Sequence, residues 1–302
     1  MMRWLLILST FFTAFNAKAL STFTVQVKKP NHSIVFRNKK NIHEFRPNAS
    51  LHWGVKYSAD SFYIEYGGKI KDTNYGNSDV GNNSYKSLRV GLSFSNFFIG
   101  LYHQEWKGFS SDERDEASCE YCLERENLSS RESSVNLLYA FDSNYSMRAL
   151  NSDGSRGVNR ASSWLLIAFY DRFRVHDNQT LIIEDPQNNF EFFDDLHTIE
   201  AEQYGLGFGY GLVYPFGPLY FALSASIGIG YQKAKLIDEE RSRNEYIVNP
   251  SHWSLKINLG TQGKGLNIGV KGYLFSNIYK IGESQNVGNV NYSLYSYLSY
   301  TF

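Results

Sequence analysis

The chain has 302 residues, with 30 Lys and Arg against 30 Asp and Glu, and aromatic residues make up 16% of it, including 22 Tyr and 22 Phe. The balanced charge gives no indication of nucleic acid as a partner. Beyond the N-terminus no segment has 18 uninterrupted apolar residues, which excludes a helical membrane protein. A polar average with many aromatics is instead typical of a transmembrane β-barrel, which combines an apolar exterior and aromatic girdles with a polar lumen.

The chain begins with the pattern of a secretory signal peptide. Arg3 precedes an apolar run from Trp4 to Phe15, and Ala17-Lys18-Ala19 is a small-residue cleavage site. The run is too short for a transmembrane anchor, which needs about 20 apolar residues. We therefore expect residues 1–19 to be a cleaved signal peptide and 20–302 to form a single barrel domain in the outer membrane of a Gram-negative bacterium.

Eight segments alternate between large apolar residues and small or polar ones, with the period of two that strands have. The apolar sets begin at Leu51, Phe62, Leu88, Val135, Tyr204, Phe221, Trp253 and Leu266. Because the other face is small, polar or charged, we expect the apolar face to contact lipid and the polar face to line the lumen. Alternating glycines over Gly205–Gly211 indicate either a close-packed lumen or a site where a ligand or another segment of backbone approaches this strand closely.

The connections predict an antiparallel transmembrane barrel of about 12–14 strands. Long polar connections cover 70–84, 107–131, 151–161, 174–199, 233–246 and 276–289. If all of them lay on one side of the membrane, the two halves of the chain would be out of phase by one crossing. A short strand at Gln179–Glu184 and an opening strand within Phe23–Arg37 would restore about fourteen strands. A barrel of about twelve strands is the alternative, and it would require one turn of anomalous length.

The last predicted strand alternates up to the final residue. Tyr292, Leu294, Leu298, Tyr300 and Phe302 share one face. A terminal aromatic strand resembles the one that outer-membrane barrels present to their assembly machinery. Tyr300 and Phe302 are therefore the expected assembly signal, and the machinery is an expected partner during biogenesis. Outer-membrane lipid and lipopolysaccharide are the other expected partners, and the sequence does not identify a small-molecule or protein partner.

Cys119 and Cys122 lie in a polar connection as Cys-Glu-Tyr-Cys. In an oxidising compartment the expected state is one local disulfide, with free thiols or a metal or redox site as alternatives. Two thiols alone are a poor metal site. No cofactor is expected.

Several charged residues fall on the predicted lumen face: Lys56, Glu65, Arg89, Lys256 and Lys271, together with His52 and His252. If the interior is plugged, Glu65 should pair with Lys or Arg, because buried charges are costly unless paired. If the interior is open, its excess of basic over acidic side chains should favour the passage of anions. If Tyr63, Tyr273 and Phe275 point inward, their side chains favour a filled lumen. The small Gly, Ser and Ala residues near 205–230 favour an open one.

Two patterns resemble parts of known catalytic sites. Asp194-Asp195-Leu196-His197 resembles the Asp-x-His of outer-membrane aspartyl-type proteases, but the Asp-x-Asp pair that they also need is absent, so a solvated acidic loop is expected. An outer-membrane lipase would need Ser, His and Asn near the lipid face. His103 is the only histidine on an apolar face and is expected to be interfacial rather than a base.

The order of several soft motifs resembles the bacterial family called domain of unknown function 4421. They are Phe45-Arg-Pro-Asn48 before Leu51–Tyr57, Tyr102–Phe109, Asn136–Phe141 followed by Tyr145–Ala149, and Ala161–Leu166. Ser162 stands where the family has a glycine. The resemblance implies an outer-membrane barrel and carries over no activity or site. We expect a barrel without enzymatic activity, acting as a structural or surface-interaction protein or a narrow channel; a passive anion-favouring pore or transport component is the alternative and an outer-membrane hydrolase a distant one.

Overall fold

The computed structural model describes residues 21–37, 42–47, 50–59, 61–74, 84–111, 124–151, 158–182, 193, 195–238, 242–281 and 285–302. Within these ranges the chain forms thirteen strands and one short helix. The helix is too short to cross a membrane, and the described residues contain no other candidate helical span.

The strands, in chain order, are β1 (Thr22–Arg37), β2 (Ile42–Arg46), β3 (Ser50–Ser58), β4 (Phe62–Asn74), β5 (Ser84–Phe94), β6 (Phe97–Ser111), β7 (Glu124–Ala140), β8 (Ala161–His176), β9 (Thr198–Phe216), β10 (Leu219–Ile237), β11 (Ser242–Thr261), β12 (Gly265–Lys280) and β13 (Asn286–Thr301). The helix α1 (Met147–Asn151) lies between β7 and β8.

The sheet is antiparallel and closes on itself. β1 pairs with β13 along its whole length, from Thr22↔Thr301 to Arg37↔Asn286. Both β2 and β3 also pair with β1, one after the other, so they are two segments of a single crossing. The thirteen segments therefore build a closed barrel of twelve crossings, within the expected range. β1 is the expected opening strand.

The strand expected at Gln179–Glu184 is not formed over its described part. Residues Gln179–Ile182 turn back toward the barrel, and Leu181 N donates to Leu196 O at 2.6 Å. No extra crossing is needed, because the β7–β8 connection lies at the same end as the tight turns at Ser95–Asn96 and Gly217–Pro218. We call this the turn end and the opposite end the loop end. The predicted long connection 151–161 belongs to the β7–β8 connection and therefore lies at the turn end, whereas the other five predicted long connections join strands at the loop end.

Several strands run farther into the predicted loops than their apolar residues indicated. β7 begins at Glu124 and β12 continues to Lys280, both inside ranges expected to be loops. Backbone pairing can continue beyond the apolar belt, where both faces of a strand are free to be polar. Near the loop end β2 pairs with β1 on one side and with β6 on the other, so the wall bypasses β3, β4 and β5 there and narrows.

The barrel is inside-out relative to a water-soluble one. Large apolar side chains are exposed on the outer wall, Ile227 most strongly at 72%, whereas inward positions such as Lys28, Lys56 and Asn258 are buried. In a soluble barrel the large apolar residues would fill the interior. The arrangement is that of a transmembrane barrel of the outer-membrane type.

Candidate functional site

The turn end of the lumen is filled by the β7–β8 connection. Ser146 Oγ caps α1 by accepting from Ala149 N at 3.2 Å. The helix places its apolar side chains in a buried cluster, the turn-end plug. Its members are Phe98, Leu138, Ala140, Tyr145, Met147, Ala149, Leu150, Val158, Ala161, Leu165, Ile167, Val213, Tyr220 and Ala222.

Polar side chains of the wall hold the last carbonyl groups of α1. Asn258 Nδ2 donates to Ala149 O at 2.8 Å, and the Nζ atoms of Lys56 and Lys271 both donate to Asn151 O. Cations are favourable at the C-terminal end of a helix, where unpaired carbonyl groups concentrate negative charge. Two of the predicted lumen charges are thus anchors of the plug.

Glycines in β9 and β10 make room for inward rings. A Cβ on Gly211 would lie 2.2 Å from Tyr145 Oη, and one on either Gly205 or Gly228 would lie 2.7 Å from the Phe169 ring. These contacts support the close-packed interpretation of the glycine alternation.

The loop end is filled by a second apolar cluster, the loop-end plug. It comprises Ile34, Phe36, Phe45, Tyr85, Trp106, Phe109, Leu128, Phe173, Val175, Leu181, Ile182, Phe193, Leu196, Ile199, Ala201, Ala234, Leu236, Tyr279, Ile281 and Val287. Part of it comes from the β8–β9 connection, which Arg125 fixes by donating to Asp177 at 3.0 and 2.8 Å and to the carbonyl of Leu181 at 3.4 Å. Both partners of this ion pair are buried.

Between the plugs, Glu65 is the centre of a charged cluster. Its Oε1 lies 2.5 Å from Lys28 Nζ and 4.0 Å from Arg89 NH1. The Arg89 guanidinium also lies over three tyrosine rings. Its distances to the ring centroids are 4.7 Å for Tyr102, 5.1 Å for Tyr273 and 5.5 Å for Tyr295. Ion pairing and cation–π contacts together compensate for removing these cations from water.

A second acid, Glu132, is surrounded by amide donors. Gln104 donates to it at 2.6 Å, Asn291 at 3.2 Å and Asn277 at 3.4 Å. Asn277 Oδ1 lies 2.6 Å from His252 Nδ1 on the neighbouring strand β11, which extends this network along the wall. Such a network satisfies a buried carboxylate with neutral donors alone.

A cavity of about 120 Å³ remains in the middle of the lumen. Lys256 lines it and lies 5.9 Å from the ring centroids of Phe98 and Tyr273. Asp171 also lines it, and its buried Oδ2 makes no hydrogen bond with the described residues. Tyr63, Tyr273 and Phe275 face the same space. A chamber of this size and polarity can hold a few water molecules, each of which needs polar partners.

The structure places all five predicted lumen charges on the inner side of the wall, but it divides them among three roles. Lys56 and Lys271 anchor the plug, Glu65 and Arg89 belong to the ion cluster, and Lys256 lines the cavity. The sequence reasoning missed Lys28, Glu132 and Asp171. Extending the period-two alternation through β1, β7 and β8 would have placed them on the inner face.

Other predicted residues lie outside the lumen or outside the described part of the chain. Cys119, Cys122, Asp194 and the expected signal peptide fall outside the described residues. Asp195 is exposed. Tyr300 and Phe302 point outward, with ring centroids 6.4 Å apart. Among the described residues no group of three or more His, Cys, Asp or Glu side chains could hold a metal ion.

Comparison with solved structures finds weak similarity to outer-membrane barrels. The outer membrane protease OmpT from Escherichia coli is 9% identical, over 96% of this chain and 98% of that chain, with a TM-score of 0.42. The translocator domain of the autotransporter NalP from Neisseria meningitidis is 8% identical, over 100% of this chain and 95% of that chain, with a TM-score of 0.45. Similarity this low indicates nothing about activity.

No curated protein matches the chain significantly. The model of the family described as Domain of unknown function (DUF4421) matches residues 10–302, which is nearly the whole sequence. This protein therefore belongs to the DUF4421 family.

Proposed function

We propose that this protein is an integral outer-membrane barrel whose lumen is closed, and that it acts through its outer wall and its loop end rather than as a channel. The exposed apolar wall supports the membrane location, because a closed barrel satisfies every strand's backbone groups and leaves apolar side chains for lipid. The turn end, where β13 finishes, would face the periplasm, and the loop end would face the cell exterior.

The observation that carries the closed state is the apolar filling at both ends of the lumen. Water-filled barrels are lined by polar side chains along their length. Here the turn-end plug and the loop-end plug each consist of buried apolar residues, and the charged layer lies between them. Water and ions would have to cross both clusters.

The contacts of the basic residues argue against the alternative of an anion-favouring pore. Lys56 and Lys271 bind the carbonyl of Asn151, and Arg89 lies among tyrosine rings beside Glu65. These cations are therefore engaged by the protein itself, and Lys256 faces the cavity together with Arg89.

Planar-bilayer recording tests the proposal. The refolded protein, with insertion verified by heat-modifiable migration, should give no steady conductance. Steady single-channel steps from the wild type would refute the closed lumen. If the wild type conducts and its pore favours anions, Lys256→Glu and Arg89→Glu should shift the reversal potential toward cation selectivity. An unchanged reversal potential would exclude the anion-favouring pore as well.

A further inference from the structure

A serine, a histidine and a glutamate meet on the outer wall of the barrel. His103 Nδ1 lies 2.8 Å from Ser133 Oγ, and His103 Nε2 lies 3.4 Å from Glu105 Oε1. Glu105 Oε1 is in turn 2.7 Å from Arg131 Nε. The side chains of His103 and Glu105 are 41% and 39% exposed, so the cluster is accessible from outside.

The strand register explains why these side chains share one face. His103 and Glu105 are two residues apart on β6 and therefore point to the same side. Ser133 on β7 is directly opposite His103, and directly opposed residues of an antiparallel pair lie side by side on the same face. The exposed Leu101 belongs to the same outward row of β6, so the cluster is on the lipid side of the wall.

The cluster lies where the wall changes from apolar to charged. On the turn-end side, the neighbouring outward residues are Leu101 and Val135, and Leu88 on β5 is directly opposite His103; all three are exposed and apolar. On the loop-end side, Lys86 is opposite Glu105 on β5, and Arg131 is opposite Arg174 on β8. Such a boundary is the level at which a membrane lipid passes from acyl chains to its polar part, and the ester bonds lie there.

We propose that Ser133, His103 and Glu105 form an acyl-ester hydrolase site on the outer wall, with a membrane lipid as substrate. This proposal goes beyond the closed barrel and rests on its membrane location. It replaces the expectation of a barrel without enzymatic activity, which remains untested. The cluster combines a nucleophile, a base and an orienting acid within reach of one another.

The reaction follows from the roles of the three side chains. Ser133 Oγ attacks the ester carbonyl, and its proton passes to His103 Nδ1. The tetrahedral intermediate collapses with release of the alcohol, a lysolipid, which takes the proton from His103. Water from the interface, deprotonated by His103, then attacks the acyl-serine ester. As the fatty acid is released, His103 returns the proton to Ser133 Oγ. One ester and one water become one acid and one alcohol. Glu105 is a positioning residue that holds the imidazole and stabilises its protonated form.

A positive side chain is available for the oxyanion. The backbone N–H groups of β6 and β7 are used in the sheet, so charge stabilisation must come from a side chain. Arg172 on β8 is directly opposite Ser133 and therefore on the same outward face. Its guanidinium lies 3.9 Å from Glu200 and 3.8 Å from Glu202, and these long ion pairs leave it free to turn toward an anionic group near Ser133.

A purely structural hydrogen bond between strands would need no acid. His176 and Thr198 form such a pair, with 2.8 Å between Nδ1 and Oγ1 and no ion pair from His176 to a carboxylate among the described residues. This second pair provides a matched control. Ser129 is another, because it lies four residues from Ser133 on the same strand and the same face.

The test uses the full-length protein refolded into phosphatidylethanolamine–phosphatidylglycerol vesicles, or into vesicles that also contain lipid A. A fluorophosphonate probe should form an adduct on Ser133, located by mass spectrometry, and fatty acid should be released from one of the two lipid classes. Release from the first vesicles identifies a phospholipid substrate, and release only from the second identifies the acyl esters of lipid A. Ser133→Ala and His103→Asn should each lower release by ~10³-fold or more.

Variants of the acid and the controls complete the test. Glu105→Gln should slow probe labelling, and Glu105→Asp should restore part of the rate, which a merely structural carboxylate would not do. Ser129→Ala and Thr198→Ala should label and hydrolyse as the wild type does. A wild type with no adduct on Ser133 and no release from either kind of vesicle overturns the proposal. So does a Ser133→Ala variant, folded by heat-modifiable migration, that retains full activity.

Discussion

Neutralising Glu65 should destabilise the barrel more than any single change at an exposed charge. The Lys28 and Glu65 side chains are 1% and 7% exposed and lie 2.5 Å apart, with Arg89 at 4.0 Å from the same oxygen. Glu65→Gln keeps the volume of the side chain but leaves two buried cations without a countercharge. Removing one partner of a buried ion pair costs about 3–5 kcal/mol.

The size of this loss of stability depends on which charged partners each side chain keeps after the substitution. Two unit charges 4 Å apart interact by about 4 kcal/mol at the dielectric typical of protein surfaces, so Arg89 alone accounts for a loss of this order before relaxation. Lys28→Met should be milder, about 1–3 kcal/mol, because Glu65 keeps Arg89 and is paired in register with Lys56. The double variant should be more stable than the sum of the two single losses predicts, by at least ~1 kcal/mol.

Urea-dependent unfolding in lipid vesicles, followed by tryptophan fluorescence, measures these free energies. The partly exposed pair of Glu44 and Arg46 provides the control, and Glu44→Gln should cost less than about 1 kcal/mol. The reasoning fails if Glu65→Gln unfolds within about 1 kcal/mol of the wild type, or if the two single losses simply add.

Three further outcomes are expected. Ile227→Arg, on the exposed apolar face of β10, should lower the free energy of unfolding by about 2–4 kcal/mol, and Leu219→Arg at the strand's start by only about 0–1; the reverse order would contradict the assigned lipid face. Gly211→Ala should destabilise by about 1–3 kcal/mol because its Cβ meets Tyr145, whereas Gly272→Ala, with open space around it, should not, and equal melting temperatures would refute this packing. Mass spectrometry without reductant should find Cys119 joined to Cys122, and alkylation of both thiols would exclude the disulfide.

The fold could be predicted from the sequence because the alternation of side chains is a local property. Once Ile227, Leu266 and their equivalents share a face with period two, lipid on one side and a polar lumen on the other fix which way every strand faces. The same logic placed Lys56, Glu65 and Arg89 inside. The alternation of the last strand likewise predicted β13, which pairs with β1 along its whole length.

The contacts across strands were decided by the tertiary structure alone. The period of a strand does not give its register, so nothing in the sequence indicates that Lys28 meets Glu65 or that His103 meets Ser133. The five residues of α1 are too few to show a helical period, and the helix exists because the wall caps its carbonyl groups and buries its apolar side chains. The sequence by itself therefore determined the barrel and its inside-out faces. Only the tertiary structure decided which side chains pack together inside the barrel and which meet on its wall, because both depend on strand register.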